Sequence, residues 1–269
     1  MPNVLTPGDV TVFSAGGESV LCNAEGVTIA LDSTLLDGSC IGRDGTDMQP
    51  VGGMGTVSWS NLSTVGNSGY TRLISSGITV LTLGGVDYNG AWTSLGLKVN
   101  FTSKDQRGGR DYQQRMQVLR RGFELTLELN VYAGTAAALM AAAASSAPAD
   151  KTTTVAVTIG GTSIGFPGRL KSVTFKHERD GFQTLSVVVV GADPGTGTYP
   201  TVSGAAGLLL LALGPNFKAQ VPFAFTSAAT GGFAATGQLS FQDVSISAAI
   251  DQFVKIDYNF ALFGTLALA

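Results

Sequence analysis

The nine residues from Phe123 to Val131 constrain this chain more than any other stretch. Phe123, Leu125, Leu127, Leu129 and Val131 alternate with Glu124, Thr126, Glu128 and Asn130. A period of two belongs to a strand and sets five apolar side chains on one sheet face, with the polar set on the other. The end of the chain repeats the pattern. Val254, Ile256, Tyr258, Phe260 and Leu262 alternate with Lys255, Asp257, Asn259 and Ala261. Shorter alternations run through Val221, Phe223 and Phe225, and through Leu239 and Phe241. Further strands are predicted over 26–33, 55–62, 77–83, 97–102, 153–159, 168–176 and 181–190. Gly-rich punctuation such as Val51-Gly-Gly-Met-Gly separates them. The fold class is mainly β.

Two segments break the rule. Gly134-Thr-Ala-Ala-Ala-Leu-Met-Ala-Ala-Ala-Ala predicts a helix with Thr135 as N-cap and Pro148 beyond its end. Residues 148–154 read as a linker. Ser203–Leu213 predicts a second helix, capped by Ser203 and stopped by Gly214-Pro215. A division into 1–148 and 149–269 fits this order, and one intertwined domain is the alternative. A faint repeat points to duplication: Leu97-Lys98 leads to Gly122-Phe123, and Leu170-Lys171 leads to Gly181-Phe182, each followed by a helix.

Between the strands at 97–102 and 123–131 lies a polar stretch, Ser103-Lys-Asp-Gln-Arg-Gly-Gly-Arg-Asp-Tyr-Gln-Gln-Arg. Six of the sixteen basic residues fall within Lys104–Arg121. It is too long for a tight hairpin and reads as a projecting arm. Acids interrupt it and Tyr112 is its one aromatic, so contact between subunits is favoured over a nucleic-acid platform. Lys104, Arg107, Arg110, Asp111 and Arg115 are the candidate contact residues.

Composition narrows the function classes. Charged residues are 13% of the chain and apolar residues 44%. So few charges cover a soluble monomer poorly, and favour a surface hidden by neighbouring subunits. The formal net charge is −3, which speaks against tight nucleic-acid binding. Neither a signal peptide nor an apolar run of membrane-spanning length is evident. Cys22 and Cys40 make no disulfide framework; the reduced state is expected, and a later bridge between them stays open. His177 is the one histidine and sits in a turn context, Lys176-His-Glu-Arg-Asp-Gly, where solvation is the usual role. No metal-ligand spacing, phosphate loop, dinucleotide fingerprint or nucleophile elbow is evident. Glu124 and Glu128 lie four apart on one strand face, about 13 Å, too wide for a glycosidase pair. No catalytic residue, cofactor or metal is expected.

Arg121-Gly-Phe-Glu-Leu-Thr-Leu-Glu-Leu-Asn-Val-Tyr followed by an Ala-rich helix resembles the strand-then-helix unit of major tail tube proteins of long-tailed bacteriophages. The closing strand Phe253-Val-Lys-Ile-Asp-Tyr-Asn-Phe-Ala-Leu-Phe-Gly-Thr-Leu is similar to their chain ends, and the loop at 103–117 to their ring-joining hairpin. The resemblance covers about residues 95–269, and residues 1–95 depart from a single tube domain. It implies a β-sandwich or partly closed barrel with one or two short flanking helices, doubled if the repeat is real. It also implies stacked rings, hexameric or trimeric and pseudo-hexameric, forming a conduit for DNA ejection. DNA would pass without specific binding. The implied partners are other copies of the chain and the tail terminator, distal tail and tape measure proteins, with the chain made in a bacterial cytoplasm and resident in the virion tail. Glu124, Glu128, Asp257 and Asn259 are the candidates to face an acidic or neutral lumen. Rival readings are another virion part, such as a capsid decoration or head protein, and a carbohydrate-binding module.

Overall fold

The computed structural model describes residues 10–19, 24–37, 48–62, 77–106, 115–131, 135–177, 183–192, 199–205, 207–227 and 232–269. Cys22, Cys40 and the tip of the arm, 107–114, lie outside them. The chain is mainly β. Its first half runs β1 (Val10–Ala15), β2 (Glu18–Ser19), β3 (Ala24–Asp37), β4 (Met48–Leu62), β5 (Ile78–Leu83), β6 (Val86–Asp87), β7 (Trp92–Asp105) and β8 (Met116–Asn130). The second half runs α1 (Thr135–Ala144), β9 (Thr152–Ile159), β10 (Thr162–Lys176), β11 (Thr184–Gly191), β12 (Thr201–Ser203) and α2 (Gly207–Leu213). It ends with β13 (Val221–Ser227), β14 (Ala234–Ala249), β15 (Lys255–Leu262) and β16 (Ala267–Leu268).

Two segments differ from expectation. Residues 148–151 are a 3-10 turn rather than linker, and β9 begins directly after it. Residues 201–203 pair with β10 as a strand, so Ser203 does not cap α2. β-Branched Thr201 and Val202 favour that pairing, and the helix waits for the Leu run.

Every strand pair is antiparallel. Eight strands make one broad sheet in the order β3-β4-β15-β14-β7-β8-β11-β10. β10 and β14 are long enough to serve twice. The first half of β14 pairs with β13 and the second with β15 and β7; the first half of β10 pairs with β9 and the second with β11. Both bend at a bulge, between Leu170 and Ser172 and between Phe241 and Asp243. At the β10 crease a Cβ on Gly168 would lie 2.6 Å from the Val189 side chain, so the backbones approach where only glycine fits. Beyond the bends, β13-β1-β2 and β9-β5-β6 fold back over the broad sheet. Phe13 of β1 meets Trp59 of β4 edge-on at 5.2 Å, and Phe166 of β10 stacks on Phe123 of β8 at 5.2 Å. The result is sandwich-like. Among the described residues the pairing runs out at β2 and β6, and the sheet does not close into a barrel.

The core lies between the layers and follows the alternation. One transverse row runs Ile256, Ile246, Leu97, Leu125, Val189 and Leu170 across six strands, each 8% exposed or less. Arg121 of β8 turns toward this interior, away from the arm. Its guanidinium donates to the carbonyls of Ala212, Leu213 and Gly214 at the end of α2 and of Tyr199, and stacks 4.4 Å over Phe217.

The architecture holds a nested structural repeat. β1 and β5, β3 and β7, and β4 and β8 are each offset by 68 residues, with equal lengths. β1 and β5 share a bulge after their first residue. Both run into Gly-Gly turns with positive φ, Gly16-Gly17 and Gly84-Gly85, the left-handed pair a tight hairpin requires. In the second half the bulges of β10 and β14, and the strands β11 and β15, are offset by 71. The joints repeat too. Phe13↔Phe225 of β1–β13 answers Leu81↔Val157 of β5–β9, and Lys255↔Leu62 of β15–β4 answers Thr184↔Asn130 of β11–β8. One unit is β1–β4 with α2 and β13–β15; the other, β5–β8 with α1 and β9–β11, is inserted inside it. Among the described residues, strand pairing crosses residue 148 at five joints. The repeat expected from Leu97 and Leu170 matches the wrong partners: Leu97 corresponds to Ile29, and Leu170 to Phe241. Both segments are a hairpin before a helix, and that shared order produced the likeness.

Candidate functional site

The outer face of the broad sheet is polar because each strand that buries alternate apolar residues must turn the intervening ones outward. Cross-strand register aligns them. One row reads Ser60, Asp257, Ser245, Lys98, Glu124 across β4, β15, β14, β7 and β8. The next reads Ser58, Asn259, Asp243, Asn100. All four residues expected on a lumen wall, Glu124, Glu128, Asp257 and Asn259, share this face. Asp257 and Glu124 stand three strand steps apart, roughly 14 Å at the usual strand spacing.

The chemistry at the β15 end is two carboxylates, each held by hydroxyl or amide donors from neighbouring strands. Ser60 donates to Asp257 Oδ1, Ser245 donates to its Oδ2 at 3.3 Å, and Asn259 Nδ2 donates to Asp243 Oδ1 at 3.0 Å. With Glu25, Thr28 and Lys98 these line an open polar depression of about 650 Å³. Lys255 donates to Glu25 at 2.9 Å; that hydrogen bond, then the Glu25 charge, holds its ammonium protonated above the ordinary lysine range. On β8, Glu124 accepts from Lys171 at 2.9 Å and Glu128 from Ser94 at 3.3 Å. Acids and bases thus interleave. The face is mixed in charge, against an acidic wall, because Lys98, Lys171 and Lys255 fall on the same parity as the carboxylates. Lys98, Asp243, Ser60 and Lys171 escaped the sequence reading. Counting outward from buried Leu97 and Val244 would have placed Lys98 and Asp243 on this face.

The arm is β7 and β8 themselves. Pairing continues to Asp105↔Met116, so 103–105 and 116–117 belong to strands and not to the loop expected over 103–117. Its base is tied down: Arg115 bridges Phe263, the Arg115 N–H donates to Asp105, and Ser240 donates to the Met116 carbonyl. Lys104 is exposed on β7. Arg107, Arg110 and Asp111 fall outside the described residues. His177 is exposed at the end of β10. Among the described residues no cluster of three or more His, Cys, Asp or Glu could hold a metal, and no helix is long and apolar enough to cross a membrane.

The broad sheet has two open flanks. β3 pairs with β4 only, and β10 beyond its bulge pairs with β11 only, among the described residues. Each leaves a line of backbone donors and acceptors on its outer side. Compared with known proteins, the chain matches no family model and no curated sequence.

Proposed function

We propose that this chain is a structural subunit that assembles with copies of itself, of the kind that forms the tail tube of long-tailed phages. The observation that carries the reading is the pair of open flanks on a sheet that is polar on one side and packed on the other. An edge left open is an aggregation liability, and a second chain removes it. Ring closure of such sheets makes a hollow body whose wall is the polar face. The mixed charge of that face suits a conduit: interleaved lysines and carboxylates neutralise few phosphates, so DNA is not retained. The duplicated unit suits three chains giving six equivalent positions. In this reading the connection between β7 and β8, with Lys104 and Arg115 at its base, is the contact between stacked rings. Tail terminator, distal tail and tape measure proteins are the further partners of this reading, the virion its location, and its role is architectural rather than catalytic. Trp59 and Trp92 are 3% and 9% exposed, so neither offers the ring platform a carbohydrate-binding module needs. Negative-stain imaging of purified chain at high concentration tests the proposal. Rings or tubes are the expected result; a lone particle at every concentration overturns it.

A further inference from the structure

The duplication leaves one joint half used. Inside the chain, β14 of one unit pairs with β7 of the other, from Asp243↔Asn100 to Ala249↔Ser94. The equivalent of β14 in the second unit is β10, and the equivalent of β7 in the first is β3. These are the two open flanks. Carrying the register across by the offsets of 71 and 68 sets Ser172 opposite Asp32, Thr174 opposite Ala30 and Lys176 opposite Thr28. We propose that β10 of one copy pairs with β3 of the next in this register, repeating between chains the joint that already holds each chain's two units together. The proposal deepens the assembly reading above and rests on it only in taking a second copy as the partner.

Side-chain exposure bears on this independently of the backbone. Leu31 on β3 is 51% exposed, while its equivalent Val99 on β7 is 0% exposed. Phe175 on β10 is 41% exposed, while its equivalent Ile246 on β14 is 3% exposed. Val173 and Ile29 are half-buried, while Val244 and Leu97 are fully covered. The same pattern positions are dry where the joint exists and wet where it is missing. Charge favours the same occupant. β3 carries Glu25 and Asp32; β10 carries Arg169, Lys171 and Lys176. Two β3 strands would bring acid to acid and two β10 strands base to base, whereas β3 on β10 brings an acidic strand to a basic one. The joint is heterologous, so it propagates around a ring or along a filament instead of stopping at a dimer.

The test uses full-length chain with Cys22→Ser and Cys40→Ser. Ala30→Cys is placed in one preparation and Thr174→Cys in another, and the two are oxidised separately and mixed. The expected result is a disulfide-linked dimer in the mixture in large excess over either preparation alone. Thr28→Cys mixed with Thr174→Cys, two residues out of register, is expected to give little. Equal yields in and out of register, or like-with-like dimers, overturn the proposal. Leu31→Lys and Phe175→Lys supply a second measurement. Both sites are exposed in the single chain, so circular dichroism is expected to stay unchanged. Self-association is expected to weaken about 10- to 100-fold, the loss of one buried large apolar contact. Association at the original strength overturns the proposal. In-register dimers without tubes remove the tube reading and leave this joint standing; tubes without in-register dimers do the reverse.

Discussion

Replacing Arg121 by methionine keeps the unbranched apolar stem of the side chain and removes its fork. The structure sets the size of the loss. Nη1 serves the last carbonyls of α2, at 3.1 Å to Ala212 and 2.6 Å to Leu213, and also reaches Gly214; Nη2 reaches the Tyr199 carbonyl at 2.9 Å. Hydrogen bonds from a charged donor contribute about 1.5–3 kcal/mol each. The three carbonyls at the helix end share one nitrogen, so the contacts count as about two independent bonds rather than four. The guanidinium over Phe217 adds about 0.5–1 kcal/mol, and the favourable end of the helix dipole about 0.3–1 kcal/mol. The site is half-buried, and water would recover part of the loss, which brings the expected cost to about 3 kcal/mol. Arg121→Lys keeps the charge and loses the fork, and should cost about half as much. Urea unfolding followed by tryptophan fluorescence reads the difference, since Trp59 and Trp92 are both core residues. A loss under about 1 kcal/mol for the methionine variant, or a lysine variant as stable as the parent, refutes the assignment of Arg121 as the plug of α2.

The structure dictates three other outcomes. Burial, and then the Glu18 charge, pushes the Tyr258 hydroxyl well above its ordinary range. The unfolded chain ionises this group first, so its contribution to stability is constant below about pH 10 and falls by about 1.4 kcal/mol per pH unit above it; Tyr258→Phe should make that limb of the stability curve shallower, leaving the part that Tyr88 and Lys255 contribute. Gly17, Gly85 and Gly161 have φ of 83°, 83° and 86°, with open space where a Cβ would go. Alanine at each should therefore cost the same, about 1–2 kcal/mol of unfolding free energy; a large spread among the three refutes equivalent turns. Glu124→Lys with Glu128→Lys should change stability by less than about 1 kcal/mol, because the Lys171–Glu124 pair is solvent-facing. On the proposed tube reading, the same change should slow DNA release in a salt-dependent way, and unchanged release kinetics would remove this face from the proposed bore.

The strands with the strongest alternation were legible because burial on one side is their only requirement. β8 and β15 appear where Phe123–Val131 and Val254–Leu262 placed them. β3 and β4 are longer than the runs at 26–33 and 55–62 suggested. Their Gly and Ser residues carry turn chemistry, and the pairing of β3 with β4 overrides it. The duplication was written in one short phrase, Val10-Thr-Val-Phe-Ser-Ala-Gly-Gly against Ile78-Thr-Val-Leu-Thr-Leu-Gly-Gly. Elsewhere the copies preserve strand length and register and change the side chains, and a sheet tolerates that provided parity holds. The inward turn of Arg121 had no local signal. Its partners come from α2, some ninety residues away in sequence, so a basic run in the chain looked uniformly outward.

β10 and β14 pass from one layer of the molecule to the other without leaving the strand. In an ordinary sandwich the two sheets are held by side-chain contact and by loops, and shear can slide one over the other. Here such sliding would have to stretch peptide backbone at two creases, since each bent strand is hydrogen-bonded into both layers. The creases act as rivets, so the body should yield to sideways load by peeling from its free ends and not by slipping through its middle.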